Sequence, residues 1–353
     1  MQICIVTQQL KANYGGILQN YALQAILKMM GHNVMTIDYI YKPTLFRFFL
    51  SICKSRLRKH DYPDLNYIRP SAIQNFIDTY INVTNTVHKY KLDIIYQYKI
   101  DAIIVGSDQV WRPQYNRGVL EDMFLKFTKD IDIKRIAYAA SFGVDTMKEY
   151  KVWQIKEAKK LIKKFDLVTV REDSGVKLCK DYLNINAIHV LDPTMLLNKE
   201  DYLKICDPVP VDKTNFIAAY ILDISTHISN ITTVAEKNNL SLKLFSADKH
   251  LTLTIEEWLS IFRDAKFIIT DSFHGTVFSL IFNKPFLTIT NKVRGNARID
   301  SLLRTFGLLK RQIYSCSDIE LDYNINWKEI NYIKEEYAKI SKNLLRINLG
   351  NQY

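Results

Sequence analysis

The sequence predicts an α/β protein built from two doubly wound, Rossmann-like domains that face a cleft. Two observations support this prediction. Short apolar runs typical of strands alternate with stretches of helical periodicity along most of the chain, and such alternation indicates parallel sheets. The alternation is interrupted at residues 207–214, DPVPVDKT, where two prolines and two aspartates predict a linker.

The first half opens with a predicted strand at residues 2–7 and a helix whose apolar positions run from Ile17 to Met30. Gly31 follows, where a glycine commonly ends a helix. The pattern then predicts strands at 33–39, 101–106, 134–140, 166–170 and 187–191, and helices near 71–80, 148–163, 173–182 and 198–205.

The alternation resumes beyond the linker. It predicts strands at 216–222, 240–245, 266–270 and 285–290, with helices near 226–238, 254–264 and 275–283. The expected organisation is an N-terminal α/β domain at 1–206, the linker at 207–214, a C-terminal α/β domain at 215–325 and a C-terminal helix at 326–353. Ligands of such folds bind beyond the carboxyl ends of the strands, so we expect the site in the cleft.

Composition excludes several classes of protein. The chain has 353 residues, of which 48% are apolar and 24% charged, as in folded globular proteins rather than disordered or fibrous ones. Its five cysteines are scattered and never form a C-x-x-C pair, so we expect neither a disulfide framework nor a metal site. The first residues lack the features of a signal peptide, and no apolar run approaches the roughly 18 residues that span a bilayer, so we expect a cytoplasmic protein.

The net charge of +11 favours anionic partners, although a compositional bias explains it equally well. Residues 44–60 combine an apolar front half with five cations, Arg47, Lys54, Arg56, Arg58 and Lys59. This segment predicts either an amphipathic helix bound peripherally at the inner membrane face or a helix packed on the sheet. The other basic residues are dispersed and match no nucleic-acid-binding motif, so we expect no nucleic-acid partner.

A histidine follows the predicted strand at 266–270. In the stretch DSFHG, Asp271 or Ser272 can cap a helix, and Gly275 lets its first turn approach a ligand closely. A helix N-terminus attracts anions, and His274 adds a side chain that can donate a proton near neutral pH. The alternative is that Ser272 is only a cap and His274 a structural histidine.

Further polar residues follow other predicted strands. Lys292, Arg294 and Arg298 come after the strand at 285–290 and should face the same cleft as His274, which suits a small ligand with several negative charges. The N-terminal half contributes strand-end and helix-start residues, namely Gly16, Gln19, Asn20, Ser107, Asp108, Trp111 and Arg171. No dinucleotide-binding or P-loop motif accompanies them.

Six motifs in order, GGILQNYALQ, VGSDQVW, AYAASFG, REDSG, VLDPTMLL and DSFHGTVFSLIFNKPF, resemble the polysaccharide pyruvyl transferase family across roughly residues 10–310. The resemblance implies a fold similar to GT-B and transfer of a pyruvyl group from phosphoenolpyruvate to a sugar, with no additional cofactor. The product is a ketal on a cell-surface polysaccharide or its lipid-linked precursor. Better-studied members carry Arg-Leu-His where this chain has Ser272, Phe273 and His274, so the donor site can be arranged differently.

The residues found above fit that chemistry. His274 would protonate C3 of the donor as a general acid, and Arg171 and Arg298, with Arg294 or Lys292, would bind its carboxylate and phosphate. Asp108 would deprotonate the acceptor hydroxyl, unless it is only a turn residue. The remaining substrate contacts would come from Ser272, Gly275, Gly16, Gln19, Asn20, Ser107 and Trp111, with Gln19, Asn20 and Trp111 in the sugar site.

Two other functions fit the same residues. One is a GT-B-like glycosyltransferase that uses a nucleotide sugar, whose diphosphate would occupy the cations. The other is a non-catalytic protein that binds anionic glycans or lipid diphosphates. The serine at position 272, where better-studied members carry an arginine, supports this alternative.

Overall fold

Two parallel sheets flanked by helices make up the structure, as the sequence predicts. The computed structural model describes residues 1–11, 13–40, 69–223, 228–247, 253–290, 295–314 and 319–350. The predicted basic helix at 44–60, Lys292 and Arg294 lie outside the described residues. None of the helices in the described ranges combines the length and apolarity needed to cross a membrane.

The N-terminal sheet has six strands in the order β2-β1-β3-β4-β5-β6, so the direction of strand succession reverses between β1 and β3. These strands are β1 (Gln2–Val6), β2 (Asn33–Thr36), β3 (Ala102–Val105), β4 (Lys134–Ala140), β5 (Leu167–Val170) and β6 (Ile188–His189). The helices around them are α1 (Tyr14–Met29), α2 (Ser71–Tyr80), α3 (Asp93–Gln97), α4 (Val152–Ile162), α5 (Asp173–Leu178) and α6 (Lys199–Cys206).

The C-terminal sheet has five strands in the order β11-β10-β9-β7-β8 and reverses between β7 and β9. Its strands are β7 (Phe216–Tyr220), β8 (Ser241–Phe245), β9 (Phe267–Thr270), β10 (Phe286–Ile289) and β11 (Gln312–Ile313). The helices are α7 (Ile228–Lys237), α8 (Ile255–Asp264), α9 (Phe273–Ile281), α10 (Ala297–Thr305) and α11 (Trp327–Leu349). Loops at such reversals open a crevice at the carboxyl ends of the strands, which positions the site.

The central strands are rich in apolar residues because helices cover both faces of each sheet. Every residue of β3 and of the first strand after the linker, β7, is buried. The first helix, α1, begins where the Asn13 side chain accepts a hydrogen bond from Gly16 N (3.1 Å). It ends just before Gly31, whose φ of 85° is the left-handed conformation expected of a capping glycine.

Several predicted boundaries differ from the structure by a few residues, and two of the differences have a clear local cause. The helix predicted from about residue 275 begins at Phe273, because Ser272 caps it. The helix predicted at 173–182 is α-helical only to Leu178 and continues as a π-helical turn over Cys179–Leu183.

The two halves contact each other at two places. The Tyr14 ring of α1 stacks on Trp258 of α8, with ring centroids 5.6 Å apart, and its hydroxyl donates to Leu253 O (2.9 Å). The last helix returns to the N-terminal sheet, where Lys134 Nζ donates to Asn348 O (2.6 Å). These contacts hold the loops of the two sheets face to face.

Candidate functional site

A cavity of about 210 Å³ lies between the carboxyl ends of the two sheets. The loops after β1, β3, β7, β9 and β10 all contribute to its wall. The described lining residues are Asn13, Asp108, Gln109, Tyr115, Tyr220, Leu222, Ala247, Asp271, Ser272, Phe273, His274, Gly295, Arg298 and Ile299. The cavity is therefore shared by both domains, at the two points where the strand order reverses.

The cavity reaches the N-terminal turn of α9. Ser272 Oγ accepts a hydrogen bond from Gly275 N (3.4 Å), and the first backbone bond of the helix runs from Thr276 N to Ser272 O (3.0 Å). The amides of Phe273 and His274 precede that bond and lie at the positive end of the helix dipole. This end of α9 can therefore hold an anion in the cavity.

His274 is buried beside this helix start, with only 6% of its surface exposed. Among the residues that the structure describes, its Nε2 has no hydrogen-bond partner. Asp192 Oδ2 lies 3.8 Å from Nε2, which is beyond hydrogen-bonding range but close enough to stabilise a protonated ring. One ring nitrogen of His274 is therefore not held by a hydrogen bond to the described part of the chain.

The His274 ring packs directly on the start of α1. A Cβ atom at Gly15 would lie 2.1 Å from the imidazole Cγ and Nδ1, so position 15 tolerates only glycine. The sequence analysis chose the neighbouring Gly16, but a Cβ there would meet only the Asn13 side chain, at 3.0 Å from Nδ2. Gly15 is thus the glycine that contacts the site. The signal in the sequence was the Gly15-Gly16 pair, because Asn13 caps the helix through the amide of only one of them.

Gly275 has a packing role that the sequence analysis did not predict. A Cβ at this position would lie 2.2 Å from Thr270 Oγ1. The glycine therefore lets α9 pack against the end of β9. That it also lets a ligand approach closely stays a prediction.

Two carboxylates and an arginine form a buried network beside His274. Arg171 Nη1 donates to Asp192 Oδ2 (2.7 Å) and Nη2 donates to Asp108 Oδ1 (3.2 Å). Ser107 Oγ also donates to Asp192 Oδ2 (3.0 Å). The Arg171 side chain is 1% exposed and does not line the cavity, which corrects its prediction as a substrate clamp. A buried guanidinium requires paired carboxylates. Asp192 and Asp108 are the carboxylates that pair with Arg171.

Burial and charge act in opposite directions on this network. Burial raises the pKa of Asp192 and Asp108, but the Arg171 and His274 side chains outweigh it and lower the pKa of both carboxyls below the ordinary value. Burial and the neighbouring Arg171 lower the pKa of Arg298 to about 10. At neutral pH both carboxyls are therefore ionised and Arg298 remains a cation.

Arg298 is the described cation that lines the cavity. The guanidiniums of Arg171 and Arg298 both lie near the Phe273 ring, with Arg171 Cζ 4.3 Å and Arg298 Cζ 5.7 Å from its centroid. The aromatic face stabilises these two like charges and fixes their directions. Arg298 thus faces the cavity while Arg171 remains with the carboxylates.

Four other predicted site residues lie beneath the cavity rather than in its wall. Gln19 accepts from Ser107 N (3.0 Å), Asn20 bonds to Thr36 Oγ1 (2.9 Å), and Trp111 Nε1 donates to Met123 O (3.0 Å). All four, Gln19, Asn20, Ser107 and Trp111, are 0% exposed. The prediction that they contact substrate was therefore wrong, and Gln19 and Ser107 instead support the loop that carries Asp108.

A second cavity of about 350 Å³ adjoins the first and shares Asn13, Asp108, Gln109 and Tyr115 with it. Its remaining described lining residues are Gln8, Gln9 and Lys11. Asp108 therefore lines both the smaller and the larger of these two cavities. The described residues include no group of three or more His, Cys, Asp and Glu side chains that could hold a metal ion.

Sequence reasoning missed Asp192, Gln109 and Tyr115. Asp192 had a detectable signal in the sequence, because it directly follows the predicted strand at 187–191. Asp108 likewise comes just after the predicted strand at 101–106. Gln109 and Tyr115 lie in a loop without periodicity, and nothing in the sequence pattern distinguishes them.

Comparison with known proteins identifies the family of the chain and proteins of similar fold. Residues 13–293 match the family model for polysaccharide pyruvyl transferases. None of the curated proteins matches the chain. The structure is similar to UDP-N-acetylglucosamine 2-epimerase from Rickettsia bellii, at 13% identity over 99% of this chain and 96% of that one, with a TM-score of 0.56.

A second similar structure is the UDP-GlcNAc 2-epimerase of Methanocaldococcus jannaschii in complex with UDP-GlcNAc and UDP. It shares 12% identity over 98% of this chain and 99% of that one, with a TM-score of 0.50. At these identities the likeness concerns the fold alone, and it confirms a GT-B-like architecture of two Rossmann-like domains.

Proposed function

We propose that this chain, which belongs to the polysaccharide pyruvyl transferase family, transfers the pyruvyl group of phosphoenolpyruvate to two hydroxyls of one sugar. The product would be a pyruvate ketal on a polysaccharide or its lipid-linked precursor, with release of phosphate. The observation that supports this proposal is the convergence of His274, Arg298 and the N-terminus of α9 on one small cavity beside Asp108.

The cavity suits a compact donor with two anionic groups. Arg298 and the first amides of α9 offer a guanidinium and oriented N–H donors for a carboxylate and a phosphate. Its volume of about 210 Å³ is below the range of about 300–1,000 Å³ for pockets that hold drug-sized ligands. This size suits a compact donor such as phosphoenolpyruvate, whereas a nucleotide sugar would need the adjoining cavity as well.

The substitution at position 272 fits the same donor. Better-studied family members carry an arginine where this chain has Ser272, whose hydroxyl accepts from Gly275 N and belongs to the helix cap. Arg298 enters the cavity from α10 and would supply the cation in its place.

The reaction would proceed in two additions. His274 protonates C3 of phosphoenolpyruvate, which makes C2 electrophilic, and the first sugar hydroxyl adds there while Asp108 accepts its proton. The second hydroxyl then forms its C–O bond to C2 as the C–O bond to phosphate breaks. Of the two hydroxyl protons, one restores His274 through solvent and the other leaves with phosphate. Asp192 would stabilise the protonated imidazole from 3.8 Å.

The acceptor would occupy the adjoining cavity. Asp108 lines both cavities, so a hydroxyl in the outer one can reach a donor in the inner one. Tyr115 is 43% exposed at the junction and offers a ring face to a sugar.

Incubation with phosphoenolpyruvate and a panel of nitrophenyl and lipid-linked sugars tests the proposal. The expected result is a mass gain of one pyruvyl ketal per acceptor with an equal amount of free phosphate. Phosphoenolpyruvate, but neither UDP nor GDP, should raise the thermal midpoint. Stabilisation by a nucleotide alone would favour the glycosyltransferase, and phosphoenolpyruvate binding without phosphate release over the whole panel would favour a non-catalytic protein.

A further inference from the structure

A third cavity, of about 620 Å³, lies on the outer side of residues 113–118 and takes no part in the proposed chemistry. Its wall combines one large aromatic surface with hydrogen-bonding side chains. Trp153 is 53% exposed there, and the polar groups around it include Gln114, Arg117, Glu149 and Lys151. The cavity is the largest of the three described here.

Arg112 joins this outer cavity to the proposed acceptor cavity. Its guanidinium is buried and donates to Gln109 Oε1 (3.0 Å), Gln114 Oε1 (3.1 Å) and Glu149 Oε1 (2.9 Å). It also lies 4.8 Å from the centre of the Tyr115 ring. Gln109 and Tyr115 line the acceptor cavity, whereas Gln114 and Glu149 line the outer one. The two cavities therefore flank a single guanidinium.

We propose that the outer cavity binds uncharged sugar units of the acceptor chain on one side of the sugar that is modified. An exposed indole offers a flat surface for the C–H face of a sugar ring, and amide, carboxylate and guanidinium groups bind hydroxyls at its edge. The lining holds two cations, Arg117 and Lys151, and two carboxylates, Glu121 and Glu149, and Glu149 is paired with Arg112. The resulting net charge is small, which favours an uncharged ligand. The preferred acceptor is then an oligosaccharide or polymer rather than a single sugar.

This inference rests on the proposed transfer function, because it assigns the bound sugar units to the acceptor. Its test measures binding and requires no turnover. Calorimetry and tryptophan fluorescence, without phosphoenolpyruvate, would follow binding of galactose and N-acetylglucosamine oligomers from monosaccharide to hexasaccharide. For the wild type, affinity should rise with length by at least about 10-fold in one of the two series. Trp153→Ala should abolish this gain. Tyr332→Ala, which removes a ring that is 65% exposed on α11, should retain it.

Three results would overturn the proposal: no binding by either series, affinity independent of length, or an equal length dependence in Trp153→Ala. Phosphoenolpyruvate affinity, measured separately, should be the same in Trp153→Ala and wild type. If the wild type fails to bind phosphoenolpyruvate while the length dependence is present, the transfer function is wrong and the glycan site stands.

Discussion

The two walls of the cleft carry their charges in different ways. On the N-terminal wall, Arg171 is held by Asp192 and Asp108, and its side chain and that of Asp192 are 1% and 0% exposed. On the C-terminal wall, the His274 Nε2 has no hydrogen-bond partner among the described residues, and Arg298 lines the cavity. The N-terminal wall pairs its charges in a buried network of which only Asp108 is among the described lining residues of the cavity, although Arg171 Nε has no partner among the described residues. The C-terminal wall presents both of its groups to a ligand.

This difference indicates a division of labour. A buried network of ion pairs costs desolvation free energy when it forms. Removal of one member then leaves the charges of the others buried without a partner. Changes on the N-terminal wall should therefore reduce stability first, and changes on the C-terminal wall should reduce binding or turnover with a smaller effect on folding. The four predictions below test that separation.

The largest effect is expected for Arg171→Met, which leaves Asp192 and Asp108 buried without their cation. The free energy of unfolding should fall by about 3–5 kcal/mol in urea titrations. The matched control is Arg304→Met, because Arg304 pairs with Asp173 at the surface with 55% of its side chain exposed, and this change should cost about 0–1 kcal/mol. Equal losses in the two variants would contradict a buried network of ion pairs on the N-terminal wall.

His274→Gln should lower turnover at least about 10²-fold, because glutamine keeps a hydrogen-bond donor but cannot act as a general acid. Phosphate release with a saturating acceptor measures this, and calorimetry should show phosphoenolpyruvate still bound. His88→Gln changes an exposed histidine and should behave as wild type. Turnover near wild type in His274→Gln would show that the proton comes from another group.

The sequence was informative about the fold because both sheets are buried on two sides. Uninterrupted apolar runs such as Ala102–Val105 and Phe216–Tyr220 have few alternatives to a central parallel strand. The position of His274 followed from the same reasoning, since a polar stretch after a buried strand must lie at a strand end. The boundary at Phe273 was less predictable, because Asp271 and Ser272 are both good caps and only the tertiary structure selects one.

Local sequence did not show which polar side chains face the cavity. Gln19 and Asn20 lie on the face of α1 that packs against the sheet, and their partners are Ser107 and Thr36, which are distant in the chain. Arg171 is a strand-end cation like those predicted to bind substrate, but two carboxylates from other loops already occupy it. Such assignments depend on long-range pairing, which periodicity does not encode.

Arg298→Ala should weaken phosphoenolpyruvate binding by about 1.5–3 kcal/mol, the range for a hydrogen bond to a charged group. Titration calorimetry measures the change, and Arg298→Lys should recover part of it, because lysine keeps the charge but loses the bidentate geometry. Arg304→Ala on the same helix provides the control and should leave the affinity unchanged. Unchanged affinity in Arg298→Ala would mean that this arginine does not contact the donor.

The smallest effect concerns pH and the N-terminal wall. Burial raises the pKa of Asp192, but His274 and Arg171 outweigh it, so its folded pKa lies below the unfolded value of about 3.9. The stabilisation by this carboxylate is therefore complete above about pH 5 and is lost as the pH falls towards the folded pKa. In that range the unfolded chain binds more protons than the folded one, and stability should fall with acid by up to about 1.4 kcal/mol per pH unit for this one group.

Asp192→Asn should be less stable than wild type at neutral pH and should lose less stability between about pH 5 and pH 3. Urea titrations at a series of pH values give both slopes, and Asp130→Asn, which changes an acid whose side chain is 77% exposed, controls for the general effect of removing a carboxylate. Part of the slope should persist in Asp192→Asn, because the folded pKa of Asp108 is lowered too. Parallel pH profiles for wild type and Asp192→Asn would show that the charge of Asp192 is not compensated in the folded state, and the contrast between the two walls would then rest on geometry alone.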